Sequence, residues 1–125
     1  MSTFTSEIRA NPIKNRLYLK LAGAMSEADA KKVAQAILQE IAKLRPGWAV
    51  INDISELKPA DEKATEHLKR AQEASAKAGC TRVVRVVGKQ AITHLQWNRT
   101  LASAQGLRAD TAATVADAER LLDEG

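Results

Sequence analysis

The stretch Trp48-Ala-Val-Ile-Asn-Asp-Ile54 decides the fold, because it is apolar at consecutive positions until polar residues enter at its end. A strand with one wet face would alternate. The reading is therefore an interior strand covered on both faces, whose polar residues emerge at its C-terminal rim. Thr81-Arg-Val-Val-Arg-Val-Val87 repeats the pattern and is closed by Gly88. Two such strands call for helices packed on a sheet, which is α/β architecture.

Working outward, Phe4, Ser6, Ile8 and Ala10 alternate with Thr5, Glu7 and Arg9, the period of a half-buried strand. Asn11, Pro12 and Asn15 supply turn chemistry, and Leu17, Leu19 and Leu21 resume the alternation, so a hairpin ending at Gly23 is predicted. Ser26 followed by Asp29 opens a helix with a variant capping box, and Val33, Ile37, Ile41 and Leu44 give it one apolar stripe before Pro46 and Gly47 stop it. A second helix is predicted over 61–78, with Ala64, Leu68, Ala71, either Ala74 or Ser75, and Ala78 on its inner stripe and Gly79 at its end. A third is predicted over 91–104 around Ile92, Leu95 and Leu101. A short edge strand follows over 109–111, and Thr114 with Asp117 caps a last helix through Leu122. The order ββαβαβα(β)α predicts one α/β domain spanning 1–125, a mixed sheet packed with helices.

Composition narrows the classes. With 45% hydrophobic residues but only Phe4, Tyr18, Trp48 and Trp97 as aromatics, the core must be built from aliphatic side chains and alanine. Nineteen Lys and Arg against fifteen Asp and Glu leave a net charge of +4, but the two signs interleave along the helices. That pattern is a solvated face, so nucleic acid is not an expected partner. The N-terminus MSTFTSEIRA has neither a basic nor an apolar signal region, and no apolar run approaches the ~18 residues of a membrane span. The expected location is cytoplasmic. A single Cys80 excludes an intrachain disulfide and fits a reducing compartment.

The element order, together with the residues after the first interior strand, resembles the STAS domain, the SpoIIAA-like fold of bacterial anti-sigma-factor antagonists. That family carries an Asp-x-Ser strand end, a short loop, and Asp-Ser-Ser-Gly opening a helix. Asp53, Ile54 and Ser55 match the first element, and Asp61 stands at the right distance for the second. The resemblance implies a docking surface there, with a serine that a partner kinase phosphorylates. Here that serine position holds Glu62, followed by Lys63 and Ala64, and the nearest hydroxyl is Thr65. The implied module therefore lacks the usual phospho-switch, and Glu62 at a helix start either stands in for a fixed negative charge or is a favourable first-turn acid.

Arg85 lies among Val83, Val84, Val86 and Val87, where a strand covered on both faces would bury it and demand a partner. Asp53, Asp61 and Glu66 are the candidates, and the functional alternative is an anchor for an anionic ligand. Gln96, Trp97 and Arg99 could frame a pocket beside it, although a Trp in such a domain more often fills the core. His67, His94 and Cys80 share no ligand spacing, so no metal or cofactor is expected. No nucleophile elbow or phosphate loop occurs, and an enzyme is not expected.

Two readings follow. The first is a regulatory protein-interaction module docking through Asp53, Ser55, Leu57, Pro59, Asp61, Glu62 and Thr65, with Leu57, Pro59 and Ala60 as an exposed apolar loop. The alternative is a carrier or sensor of an anionic or lipid-like small molecule, using a pocket near Arg85, Gln96, Trp97 and Arg99. An exposed edge strand near the hairpin also makes a homodimer an open option.

Overall fold

The computed structural model describes residues 4–58, 62–87 and 108–124. Strands β1 (Thr5–Asn11), β2 (Arg16–Gly23), β3 (Ala49–Leu57), β4 (Arg82–Val86) and β5 (Arg108–Ala112) lie side by side in chain order. The first two are antiparallel and the rest parallel, giving the expected mixed sheet. Helices α1 (Glu27–Ile41), α2 (Glu62–Lys77) and α3 (Val115–Asp123) complete the described elements. The helix predicted over 91–104 falls outside the described residues.

The hairpin closes through asparagines. The side chain of Asn11 accepts hydrogen bonds from the N–H groups of Ile13 and Lys14, and Asn15 takes the left-handed conformation that asparagine tolerates. Asn15 also clamps the end of the first crossover, accepting from the Arg45 N–H at 2.9 Å and donating to its carbonyl at 3.1 Å. The capping box at α1 is complete, with Ser26 and Asp29 each bonding the other's backbone. Thr114 caps α3 by accepting from the Asp117 N–H. Among the described residues, no helix is long and apolar enough to cross a membrane.

β3 is buried on two sides, as its sequence predicts. Val50 and Ile54 join Leu17, Leu19, Leu21, Val33 and Ile37 under the α1–α2 pair. Ile51 joins Val84, Val86 and Ala112 beneath Ala118 of α3. Trp48, 1% exposed, fills the end of the larger core and donates its indole N–H to the Ala78 carbonyl. On α2 the buried residues are Ala64, Ala71 and Ser75, all small, and the helix leans on α1 more than on the strands beneath it.

The C-terminal half of β3 departs from expectation. Lys20 of β2 aligns with Asp53, yet Ala22 aligns with Glu56, so β3 carries one more residue than β2 across this step. This bulge reverses the parity of everything beyond it. Leu57 then aligns with Gly23 and lies 4% exposed in the core. The expectation that Leu57 belongs to an exposed apolar loop is thereby corrected, and Asp53 and Ser55 sit within the strand rather than at its end.

Two long-range ties hold the layers together. Gly79, at φ +102°, comes so close to Pro46 that a Cβ there would lie 2.6 Å from the proline Cα, and its carbonyl accepts from the Gly47 N–H. On the opposite face Glu119 of α3 receives Lys14, Arg16 and the Tyr18 hydroxyl at 2.9, 3.0 and 2.7 Å, while Arg16 also reaches Asp123 at 2.7 Å. Burial alone would raise the Glu119 carboxyl, but these donors outweigh it and hold it below the usual carboxylate range.

Two outcomes are expected. Gly79→Ala combines backbone strain with a collision against Pro46 and lowers the unfolding free energy by about 2 kcal/mol or more, measurable by urea denaturation. Because the Glu119 pKa is depressed in the folded state, its contribution is present above the unfolded carboxyl pKa of about 4.3 and is lost as pH falls through the lower folded value. Glu119→Gln should flatten that acid limb in a stability-against-pH series; an unchanged limb would show that the cluster contributes nothing.

Candidate functional site

The parallel register places Asn52, Arg85 and Thr111 opposite one another on β3, β4 and β5, with Leu19 of β2 beside Asn52. Register partners in a parallel sheet share a face, so a polar row crosses an otherwise aliphatic surface. The alternation assigns this row to the α1–α2 side, together with Val50 and Val83.

Above the row lies a cleft of about 70 Å³ between sheet and helices. Its walls are mainly Leu, Ile and Val with Trp48 and Ala71, and its polar members are Asn52, Gln72, Ser75 and Arg85. The cleft exists because the side chains that α2 buries are short and do not fill the space down to the strands. Ser75 turns its hydroxyl back to the Ala71 carbonyl at 2.8 Å and so presents little polarity to the space.

Arg85 is 3% exposed. Burial pushes its pKa down to about 10, which still leaves it a cation at neutral pH. Of its expected carboxylate partners, Asp53 is excluded because it aligns with Val86 on the α3 side of the sheet. Glu66 stands exposed on α2, and Asp61 lies outside the described residues. The amide oxygen of Asn52 is buried and has no hydrogen-bond partner among the described residues. A buried acceptor left in that state costs stability until a donor reaches it.

The remaining candidates separate. Asp53 accepts from both the Ser55 N–H at 3.1 Å and the Ser55 hydroxyl at 2.7 Å, so this pair is a local clasp inside the bulge. Glu62 is exposed on the first turn of α2, and Thr65 is half-buried one turn on. Pro59, Asp61, Gln96, Trp97 and Arg99 lie outside the described residues, as do Ala60 and His94. His67 meets Glu27 at 3.1 Å. Cys80 is buried, and burial pushes its thiol up to about 12, which leaves it inert as a nucleophile at neutral pH.

A second hollow, of about 120 Å³, lies on the other face among Glu7, Arg9, Tyr18, Lys20, Asp53 and Val115. It carries charges of both signs, and Arg9 stacks on the Tyr18 ring at 4.8 Å. It has no aliphatic interior comparable to the first.

Asn52 is the residue that sequence reasoning passed over. Its signal was available: it interrupts the parity of Val50 and Ile54 as Arg85 interrupts that of Val83 and Val87. What was not available was the register that sets the two interruptions side by side.

No model of a known protein family matches the chain, and neither does any curated protein. Solved structures do. A protein of the DUF3478 family with a SpoIIAA-like fold, from Shewanella loihica PV-4, superposes with a TM-score of 0.74 at 15% identity, covering 98% of this chain and 95% of that one. An anti-sigma factor antagonist from Mycobacterium paratuberculosis superposes with a TM-score of 0.63 at 17% identity, covering 98% and 99%. With nearly the full length of this chain superposed on nearly the full length of both neighbours, this chain has the SpoIIAA-like fold.

Proposed function

We propose that the protein is a non-enzymatic binding module that holds a small carboxylic acid in the cleft beneath α2. The observation that carries this reading is the juxtaposition at one register level of the buried Arg85 guanidinium and an Asn52 amide oxygen that has no hydrogen-bond partner among the described residues, both lining an aliphatic space. Arg85 supplies a planar fork suited to a carboxylate. Asn52 supplies an acceptor that requires a donor, so the preferred ligand carries a hydroxyl or N–H near its acid group. Size limits it further: a cavity of ~150 Å³ takes benzene, so a space of about 70 Å³ suits a chain of few carbons.

A protein-docking role remains the second reading, supported by the likeness to an anti-sigma factor antagonist and by Glu62 and Lys63 standing exposed at the start of α2. Its apolar anchor Leu57 is buried, which weakens it relative to the first.

The test is an NMR titration of the folded protein with butyrate and with 3-hydroxybutyrate. Shifts concentrated at Val50, Ala71 and Gln72 are expected, with the hydroxy acid binding more tightly. Arg85→Met should abolish both, and Ala71→Leu should do so by filling the cleft. Asn52→Leu should erase the preference for the hydroxy acid while raising the unfolding free energy of the unliganded protein by about 1 kcal/mol, since the unsatisfied acceptor is gone. Silence at the cleft residues with both acids at tens of millimolar would sink the proposal.

A further inference from the structure

β1 is an outer strand of the sheet, and the exposed residues Thr5, Ser6, Glu7 and Arg9 lie along it. Its backbone alternates between groups that bond β2 and groups that point away. The direction is fixed by one contact: the Ala10 N–H donates not to β2 but to the Glu40 carboxylate of α1, at 3.0 Å. Ser6, Ile8 and Ala10 therefore turn their N–H and C=O groups outward. The outward N–H groups of Ser6 and Ile8 have no partner among the described residues. An open edge of this kind is a template for another strand.

Charge selects which strand fits. Antiparallel pairing of β1 with a second copy allows a twofold axis at position 7, 8 or 9. An axis at Glu7 sets glutamate against glutamate, and one at Arg9 sets arginine against arginine, both unfavourable. With the axis at Ile8, Glu7 lies opposite the other copy's Arg9 twice over, Ile8 meets Ile8, and Ser6 meets Ala10. In this register the Ala10 N–H would bond the Ser6 carbonyl of the second copy. That N–H is the one Glu40 already occupies, with its other oxygen held by Lys43 at 2.8 Å.

We infer that β1 is a latent homodimer edge, self-complementary about Ile8, and that Glu40 guards it by taking the Ala10 N–H. The partner is a second copy of this chain, which would extend the five strands into one continuous sheet across the twofold axis. Lys43 keeps the guard in place from the turn that follows α1.

Sedimentation equilibrium of the full chain tests this. Glu40→Ala, which retains a good helix former at a half-buried position, should self-associate roughly tenfold more tightly than wild type through the recovered ladder bonds. Glu40→Lys should do the same, because it also lacks an acceptor, whereas Glu40→Gln keeps one and should stay close to wild type. On the Glu40→Ala background, Arg9→Glu should abolish association and the further change Glu7→Arg should restore it. Circular dichroism establishes that each variant is folded. The inference is overturned if both folded variants lacking the acceptor associate no more than wild type, or if their association ignores the charge at position 9.

Discussion

Every layer of this structure is placed by β3, which is hydrogen-bonded along both edges and covered on both faces. Parallel neighbours on either side require two crossovers, and right-handed crossovers that advance in one direction across a sheet leave their helices on the same face. α1 and α2 are therefore neighbours above β2, β3 and β4, and the other face is left for α3. An aliphatic strand core satisfies both faces at once. On the α1–α2 face the polar residues lie beneath helices: Arg85 is buried, and Asn52 is half-buried with its amide oxygen shielded from water.

That confinement gives Asn52 and Arg85 their meaning. The chain has few aromatic residues, and α2 buries alanine and serine where a larger side chain would reach the sheet. Short inner residues allow α2 to pack tightly along α1 and leave unfilled volume over β3 and β4. The polar row lies where the packing is thinnest. An apolar residue at either position would fit the surrounding pattern better, so the two polar groups depart from local consistency at one shared place.

Much of this was legible in the sequence, for identifiable reasons. Local signals carried the elements: continuous apolar runs marked β3 and β4, and Ser26 with Asp29 marked the start of α1. Arg85 was legible as a buried charge because its neighbours on both parities are valine. The bulge was not, since Asp53 and Ser55 make a turn-like clasp that resembles a strand end in any one-dimensional reading, while the pairing with β2 continues to Gly23. Leu57 was misplaced by that parity reversal alone. The Glu119 cluster was equally hidden, because it joins Arg16 to a residue 103 positions away that no periodicity connects to the hairpin.

The two faces of the sheet show how buried polarity divides between structure and function. On the α3 side, Glu119 gathers three donors, and Arg16 divides its guanidinium between Glu119 and Asp123. Arg82, although its Nε lacks a partner among the described residues, places its terminal nitrogens on Asp110 and the Leu121 carbonyl. These groups close on one another and leave little for a ligand to satisfy, and their work is to fasten α3 to the hairpin. On the α1–α2 side, Asn52 presents an acceptor next to a cation, with open volume in front of both. A network that satisfies itself stabilises a fold. One that leaves an acceptor facing a cleft stabilises the fold less, and the open volume beside that acceptor is what supports the proposed site under α2 over the hollow behind it.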